Sequence, residues 1–492
     1  MRSAASIAGN NSLVTGLKNL SPLWFTFIAS LLLSLIAIAG NDILARDAAF
    51  YMDIAHQVNL HGPRAALTMF DWPWFALLIA GTHALTHLPL EICAHLYCAL
   101  FMAGTCTLLV DCIRQRVPEA TWWGCLVVLA MPAINQFRWD IIREAGFWFF
   151  CVLALWLALR WETRGGWLRA AAIYVAVAAA ALFRLEALTV LVALGAWQLP
   201  NLFIKGRRRT FLEFFWLPLV LLIPALLVLI PRIDWQSGRV AYMLALIEPQ
   251  SVFANFHKLA NQFGSSLINK YSVDDAGQII FIGLLGSLLI KFVNLMGPFA
   301  LPFLWPRAWR SGLVYWRAFR PFAWVAAAYF VVMMLFFINS QFMIGRYLSF
   351  LDVMVIPLLA IALSQFAGAW PRLGKALLAL GLLIMLANVI SLGGKKTNFI
   401  ASGEWVAAHI DASAPVFYED GRISYYAGRG YPQPTIPREV ATAPGTAERY
   451  QYFVFEADPS EPWLKAWIAD HRLQVLASFV QRKGKTVTVV GP

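Results

Sequence analysis

Long apolar runs follow one another along residues 22–392, separated by shorter polar segments. A helix needs about 20 apolar residues to cross a bilayer. The runs near this length cover residues 22–40, 92–113, 121–134, 145–159, 170–183, 187–204, 211–230, 279–304, 321–338, 347–366 and 376–392, those over 121–134 and 170–183 being the shortest. The pattern predicts about eleven membrane-spanning helices, the first of them an uncleaved anchor.

The segment between the first two runs, residues 41–91, contains two further helix-like stretches. One begins at Asp47 and places Phe50, Ile54 and Val58 at a spacing of four, on one face of a helix. The other begins at Trp72 and is almost apolar enough to span the membrane. Counting it as a span would place the basic loop after the second run on the outside and invert every later loop. It is therefore predicted to lie at the membrane interface.

The tail over residues 393–492 has the composition of a soluble domain. Helix-like and strand-like pieces alternate along it, which predicts a small α/β domain. An odd number of spans places this domain on the same side as loop 41–91. The sequence thus predicts an all-α polytopic membrane domain over residues 1–392, with an extracytoplasmic α/β domain over 393–492.

Composition and charge agree with a membrane protein. Hydrophobic residues make up 60% of the 492 positions and charged residues only 13%, which excludes a soluble enzyme, a disordered chain and a fibrous protein. The formal net charge is +12, and the basic residues collect in alternate loops, as the positive-inside rule describes. The excess charge therefore indicates contact with membrane lipids rather than nucleic acid. We expect an inner-membrane protein of bacteria whose outer loops face the periplasm.

Ionisable residues cluster at the outer ends of the predicted spans. An ionisable side chain within the membrane costs free energy, and such residues usually have a function. Any one of these residues, taken alone, could also be an ordinary residue of the membrane interface. Arginine forms bidentate hydrogen bonds with phosphate, and a nearby carboxylate can accept a proton from an attacking group. The charged residues concerned are Asp47, Asp140, Arg143, Glu144, Arg184, Glu186 and Arg346.

The order of these residues resembles the GT-C polytopic glycosyltransferases, above all the branch of the lipid A aminoarabinose transferase and the protein O-mannosyltransferases. An acid heads a D-x-x-x-Y helix in the first outer loop at Asp47–Tyr51, and a Pro-aromatic interface helix follows in DWPWF from Asp71. An acid precedes the fourth span in RWDIIRE, where Asp140 and Glu144 both fit and spacing favours Glu144. A basic residue follows the fifth span at Arg184, and Arg346-Tyr347-Leu348 heads the tenth.

The resemblance implies an inverting transferase that moves a sugar from a polyprenyl phosphate to an extracytoplasmic lipid, glycan or protein. It implies that Asp47 is the catalytic base and that Asp140 or Glu144 is a second acid of the site. Arg184, Arg346 and Arg143 would bind the donor phosphate. Tyr51, Asp71, Glu186 and Tyr347 would contact the substrates.

No cofactor is firmly predicted, and a divalent metal ion stays an open alternative. Ala48 and Ala49 follow Asp47 where the family often has a second acid. His83, His87, Glu91 and His95 would form a stripe on one helix, but Pro89 interrupts it, so interfacial histidines are predicted there instead.

Two other functions are compatible with the pattern. Arginines in the outer leaflet would also suit a transporter or flippase of an anionic glycolipid. Transporters, however, usually place their charges near the bilayer midplane and often contain repeats, and no repeat is visible here. A polymerase or ligase of lipid-linked glycans is a third alternative. A simpler structural role for Asp47, capping its helix, is also open.

Overall fold

The computed structural model describes residues 21–224, 241, 245, 248–267, 269–390, 397–481 and 486–492. Helices form nearly all of the described chain up to residue 389. In chain order they are α1 (Pro22–Ala39), α2 (Arg46–His61), α3 (Arg64–Met69), α4 (Trp74–Thr86), α5 (Leu90–Arg116), α6 (Thr121–Ala130), α7 (Pro132–Asn135), α8 (Glu144–Arg164), α9 (Trp167–Phe183), α10 (Leu188–Gln198), α11 (Pro200–Phe203), α12 (Arg208–Pro224), α13 (Pro249–Ser265), α14 (Ala276–Met296), α15 (Arg310–Ala318), α16 (Arg320–Ser340), α17 (Gly345–Ala369) and α18 (Pro371–Val389).

Eight helical segments of the described chain are long and apolar enough to cross a membrane. The protein is therefore an integral membrane protein with several spans. Helix α9 has 17 residues, and the described part of α12 also has 17. The predicted total of about eleven spans stays a prediction. Residues 1–20 before the first run, the end of the run over 211–230 and the predicted domain boundary at 392–393 lie outside the described residues.

Proline divides two of the predicted spans. The run over 121–134 forms α6 and α7, with Met131 in an extended conformation between them. The following Pro132 disfavours a helical conformation at residue 131, which explains the break. The run over 279–304 is helical to Met296, where Gly297 adopts a φ of 61° and a 3₁₀ segment containing Pro298 and Pro302 follows.

The chain forms two compact units, and the first contains the described residues of 1–34, 99–138 and 143–389. Helix α17 is at the centre of this unit, since 83% of the residues in its most apolar stretch are buried. It packs against α6, α8, α14, α15, α16 and α18. These contacts fix the first turn of α17, which carries Arg346.

Helices α8 and α9 form a tightly packed pair within this unit. The turn between them has glycines at residues 165 and 166 with φ values of 60° and 100°, which side chains rarely allow. At the other end of the pair, Gly146 packs directly against the ring of Phe183, in the space that a Cβ atom would need. Because Gly146 and Phe183 neighbour Glu144 and Arg184 in the chain, this close packing brings the two charged residues together.

The second unit contains residues 35–98 and 139–142 with the described part of 390–492. Its C-terminal part is a four-stranded sheet in the order β1-β2-β4-β3, formed by β1 (Val416–Tyr418), β2 (Tyr452–Phe455), β3 (Gln474–Val480) and β4 (Thr486–Gly491). Strands β1 and β2 are parallel, and the other pairs are antiparallel. The remaining helices are α19 (Thr397–His409), α20 (Gly421–Tyr426), α21 (Arg438–Ala441) and α22 (Pro462–Asp470).

The C-terminal sheet has an apolar core on each face. Phe399 and Val406 of α19 pack with Val454 and Val487 on one side, and Leu464 of α22 belongs to the core on the other. The α/β composition predicted for this tail is confirmed. Alternating side chains of buried strands supply both cores, which is why the pattern was readable in the sequence.

Helices α2, α3 and α4 belong to the second unit as well. Helix α2 packs against α3, α4 and α20. Helix α4 has 13 residues, which gives it a length of about 20 Å, less than the hydrocarbon thickness of about 30 Å. The predicted helix after Trp72 is therefore confirmed, and its length agrees with the interpretation that it does not span the membrane.

Candidate active site

Three helix ends of the first unit bring four charged side chains together. Glu144 lies in the first turn of α8, and Arg184 is the extended residue that ends α9. An Arg184 guanidinium nitrogen lies 2.5 Å from Glu144 Oε1, and the other terminal nitrogen lies 2.5 Å from Glu186 Oε1. Arg346, in the first turn of α17, has its Nε 3.6 Å from the same Glu144 oxygen. We refer to Glu144, Arg184, Glu186 and Arg346 as the ionic cluster.

The ionic cluster is buried unevenly. The side chains of Glu144 and Arg184 are only 4% and 6% exposed, whereas Arg346 is 20% exposed. Removing paired charges from water often costs more than their attraction returns, so a buried pair is weak support for a purely stabilising role. Within the described chain, the buried Nε of Arg184 has no hydrogen-bond partner. This donor and the more exposed Arg346 guanidinium can interact with an anionic ligand.

An aromatic side chain supports the two arginines. The guanidinium carbon of Arg184 lies 4.7 Å from the centre of the Tyr347 ring, and that of Arg346 lies 5.5 Å from it. The Tyr329 hydroxyl donates a hydrogen bond to the Tyr347 carbonyl at 3.0 Å. Cation–π contacts fix the guanidinium planes without neutralising their charge. The ring therefore orients the two guanidiniums, whose charges are balanced within the ionic cluster by Glu144 and Glu186.

The acids before the fourth span have different surroundings. Glu144 faces both arginines of the ionic cluster. Asp140 is buried in segment 139–142, which belongs to the second unit. Arg143 immediately precedes Glu144 and adds a further positive charge near its carboxylate.

Asp47 lies in the first turn of α2, where its negative charge is favourable to the helix dipole. The residue at the N-cap is Ala45, whose side chain makes no cap hydrogen bond. The interpretation of Asp47 as a helix cap is therefore wrong. Asp47 instead lines a cavity of about 440 Å³ within the second unit, which we call the acidic cavity.

Five carboxylates and two guanidiniums line the acidic cavity, so its charge is predominantly negative. They belong to Arg46, Asp47, Glu419, Asp420, Arg438, Glu439 and Glu456. Arg46 lies 2.9 Å from Asp420, and Arg438 lies 3.2 Å from Glu419. Both guanidiniums are thus already paired with acids of the C-terminal domain, and the carboxylates that line the cavity outnumber the guanidiniums.

Asp420 is the most strongly perturbed acid of the acidic cavity. Burial alone would raise the pKa of Asp420, but hydrogen bonds and charge from Arg422 and the charge of Arg46 hold that pKa well below its usual range. The carboxyl also accepts the backbone N–H of Arg422 at 3.0 Å and so caps α20. Asp420 is consequently a fixed negative charge and is unsuited to accept a proton.

The other residues predicted from the D-x-x-x-Y and DWPWF motifs occupy different environments. Tyr51 is buried one turn after Asp47, with its ring centre 5.6 Å from that of Phe75. Asp71 is exposed in the segment just before α4. That the Tyr51 hydroxyl and the Asp71 carboxylate contact the substrates stays a prediction.

Sequence reasoning missed the acids and arginines that the C-terminal domain adds around Asp47. It also gave no role to Asp53, which is 4% exposed and whose Oδ2 accepts the backbone N–H of Tyr431 at 2.9 Å. The neighbouring Gly430 has a φ of 73° and passes close to the Asp53 carboxylate. These partners are separated by more than 370 residues in the chain, and no local motif joins them.

The histidine stripe does not form on one helix. Helix α4 ends at Thr86, His87 adopts a left-handed conformation, and α5 begins at Leu90. The predicted interruption near Pro89 is therefore confirmed. Among the residues that the structure describes, no group of three His, Cys, Asp or Glu side chains is arranged to hold a metal ion.

The fold of this chain, a polytopic helical part with a C-terminal α/β domain, is similar to that of ArnT. The crystal structure of ArnT from Cupriavidus metallidurans in the apo state is similar with a TM-score of 0.59 and 12% sequence identity, covering 97% of this chain and 98% of that one.

The same protein bound to undecaprenyl phosphate is similar with a TM-score of 0.57 and 14% identity, covering 94% of this chain and 97% of the other. The resemblance predicted from the sequence motifs is confirmed at the level of the fold. No protein-family model matches the chain. The comparison with curated proteins also found no match.

Proposed function

We propose that this protein is an inverting membrane glycosyltransferase that takes a sugar from a polyprenyl phosphate. The ionic cluster is the observation that carries the proposal, since it presents paired arginines at the ends of membrane helices. The shared fold of ArnT, with one structure bound to undecaprenyl phosphate, supports the same class of donor.

In the proposed reaction, Arg184 and Arg346 bind the donor phosphate, assisted by Arg143. Glu144 positions both guanidiniums through its shared oxygen, 2.5 Å from Arg184 and 3.6 Å from Arg346. Phosphate leaves as an anion, so it needs charge stabilisation more than protonation. A second carboxylic acid that protonates the leaving group, as in glycoside hydrolases, is therefore unnecessary.

Asp47 is the proposed catalytic base. It accepts the proton of the acceptor nucleophile, whose electron pair forms a bond to the anomeric carbon. The bond between that carbon and the phosphate oxygen breaks on the opposite face, and polyprenyl phosphate departs with the bonding electrons. Attack from the opposite face inverts the anomeric configuration. Asp140, Tyr51, Asp71, Glu186 and Tyr347 are proposed to contact the sugar or the acceptor.

The acidic cavity is the proposed entry site for the acceptor, because Asp47 lines it. The excess of carboxylates over guanidiniums in its lining favours an acceptor group that is neutral or cationic and rich in hydrogen-bond donors. A lipid, a glycan or a protein can present such a group. A phosphate on the acceptor would have to lie outside the cavity, where like charges do not repel it.

Reconstitution of the full chain in liposomes tests the transferase class. We expect a radiolabelled sugar on polyprenyl phosphate to pass to an envelope fraction, with stoichiometric formation of polyprenyl phosphate. Movement of the intact donor between leaflets without cleavage would instead indicate a flippase. Successive addition of donor units to one growing lipid-linked chain would indicate a polymerase.

The active site is proposed to face the periplasm from a bacterial inner membrane. We expect reporter fusions placed after Arg208 and after Arg372 to be cytoplasmic, and a fusion after Pro492 to be exported, because basic loops remain on the cytoplasmic side. Alkaline phosphatase and fluorescent-protein fusions at the three positions measure this. A cytoplasmic C-terminus would contradict the model with an odd number of spans.

A further inference from the structure

A second polar cavity, of about 480 Å³, lies far from the ionic cluster within the first unit. Its wall includes Trp161, which follows Glu144 by 17 residues along α8. At 1.5 Å per residue this places the two about 26 Å apart along the helix axis. The separation is close to the hydrocarbon thickness of a bilayer. The cavity therefore opens at the membrane face opposite the ionic cluster, and we call it the opposite-face cavity.

Four tryptophans shape the opposite-face cavity. Trp161 of α8 and Trp197 of α10 have ring centres 6.2 Å apart, and Trp316 of α15 and Trp324 of α16 have ring centres 6.1 Å apart. Tryptophan is enriched where the membrane meets water, because the ring is apolar and its N–H is polar. The wall thus matches the depth at which lipid headgroups join their acyl chains.

Two arginines give the cavity positive charge. Arg207 lies in the turn before α12, and Arg320 begins α16. Neither guanidinium forms an ion pair with any other residue that the structure describes. The carboxylate in the wall, Glu162, already accepts Arg116 at 2.7 Å. The charge offered to a ligand is therefore positive.

Neutral polar groups complete the lining. Gln198 is 2% exposed, and its side-chain oxygen accepts a hydrogen bond from the Asn201 amide at 2.7 Å. Thr210 adds a hydroxyl. These groups can bond to ester oxygens or to the hydroxyls of a small polyol. A purely apolar acyl chain would not satisfy them.

We propose that the opposite-face cavity binds the phosphate headgroup of an anionic membrane lipid. Arg207 and Arg320 would hold the phosphate oxygens through bidentate hydrogen bonds. The tryptophan rings would pack against the glycerol backbone and the upper acyl carbons. Tryptophans also attract quaternary ammonium groups, but two guanidiniums beside them repel a choline cation. Anionic lipids are most abundant in the cytoplasmic leaflet, the predicted location of these loops. The proposal does not depend on the glycosyltransferase activity.

Native mass spectrometry of the purified full chain tests this binding, with phosphatidylglycerol and phosphatidylcholine titrated in a neutral detergent. We expect the tightest binding event to prefer phosphatidylglycerol. Arg207→Gln and Arg320→Gln should each weaken it about five-fold, and the double substitution about thirty-fold, since a basic side chain at the surface contributes roughly that factor. Arg208→Gln is the matched control, because Arg208 follows in the same basic run but does not line the cavity.

A second variant distinguishes binding in the opposite-face cavity from attraction of the lipid to general surface charge. Thr210→Trp fills the cavity while keeping both arginines, and we expect it to remove the preference for phosphatidylglycerol. Unchanged selectivity in the double arginine variant, or an equal loss in Arg208→Gln, would overturn the proposal. Displacement of the lipid by an equal concentration of glycerol 3-phosphate would assign the cavity to a soluble phosphate and overturn its assignment to a lipid.

Discussion

Replacing Asp47 by Asn is expected to lower the rate of sugar transfer by about 10²–10⁴-fold, the usual contribution of a general base. Asparagine preserves the size and hydrogen bonding of the side chain but cannot take a proton from the acceptor. Binding of the polyprenyl phosphate donor should remain close to that of the wild type. Single-turnover transfer and donor binding, measured on the same preparation, check the two expectations separately.

The described structure makes this test sharper than the sequence did. Because Ala45 is at the N-cap of α2, a loss of activity in Asp47→Asn cannot be attributed to a lost helix cap. Asp42→Asn is the matched control, since Asp42 is exposed in the same loop. Asp53 is unsuitable as a control, because its buried carboxylate accepts the Tyr431 N–H. Near-normal turnover of Asp47→Asn, with a wild-type melting temperature, would remove Asp47 from the chemistry.

Arg346→Ala is expected to cost about 2–4 kcal/mol of transition-state stabilisation, which is the scale seen when a preorganised donor to developing negative charge is removed. Its guanidinium is the more exposed of the two in the ionic cluster. Arg346→Lys should restore only part of the rate, because an ammonium group lacks the planar fork that matches phosphate. The ratio kcat/KM for the donor, measured for both variants, checks this expectation.

Arg346 is a better test residue than Arg184. Arg184 pairs with Glu144 and Glu186 at 2.5 Å each, so Arg184→Ala would remove the nearest guanidinium from both carboxylates, and that of Glu144 is only 4% exposed. Breaking a buried pair in this way typically costs about 3–5 kcal/mol of folding stability. Arg372→Ala, an exposed basic residue at the start of α18, controls for a general loss of positive charge. Equal rates in Arg346→Ala and Arg372→Ala would contradict a phosphate-binding role for Arg346.

The two candidate regions differ in charge in the way that the proposed chemistry requires. The ionic cluster presents guanidiniums supported by Tyr347, whereas the acidic cavity has surplus carboxylates around Asp47. Guanidiniums can stabilise a leaving phosphate, and a carboxylate can accept the proton of an acceptor. The proposed assignment of donor and acceptor groups follows from this difference.

The sequence by itself determined the membrane helices and the C-terminal α/β domain. Their signals are local, since apolar length predicts a span and alternation predicts a buried strand. The sequence analysis did not predict the breaks in the helices at Pro132 and Pro298, because the apolar composition continues through these prolines. Apolar composition indicates how favourably a segment transfers into lipid. Whether the helix continues through it depends also on proline, which lacks a backbone N–H and has a fixed φ.

The sequence also predicted which charged residues belong to the site, but only the tertiary structure decided their partners. Glu144 and Arg184 are 40 residues apart and meet because Gly146 lets α8 pack closely against Phe183. Asp47 acquires its acidic surroundings from residues near 420, some 370 positions later in the chain. Pairing across such distances depends on helix packing and on the docking of a folded domain within the second unit. Neither leaves a periodic or local pattern in the sequence, because many different residues can fill the intervening core.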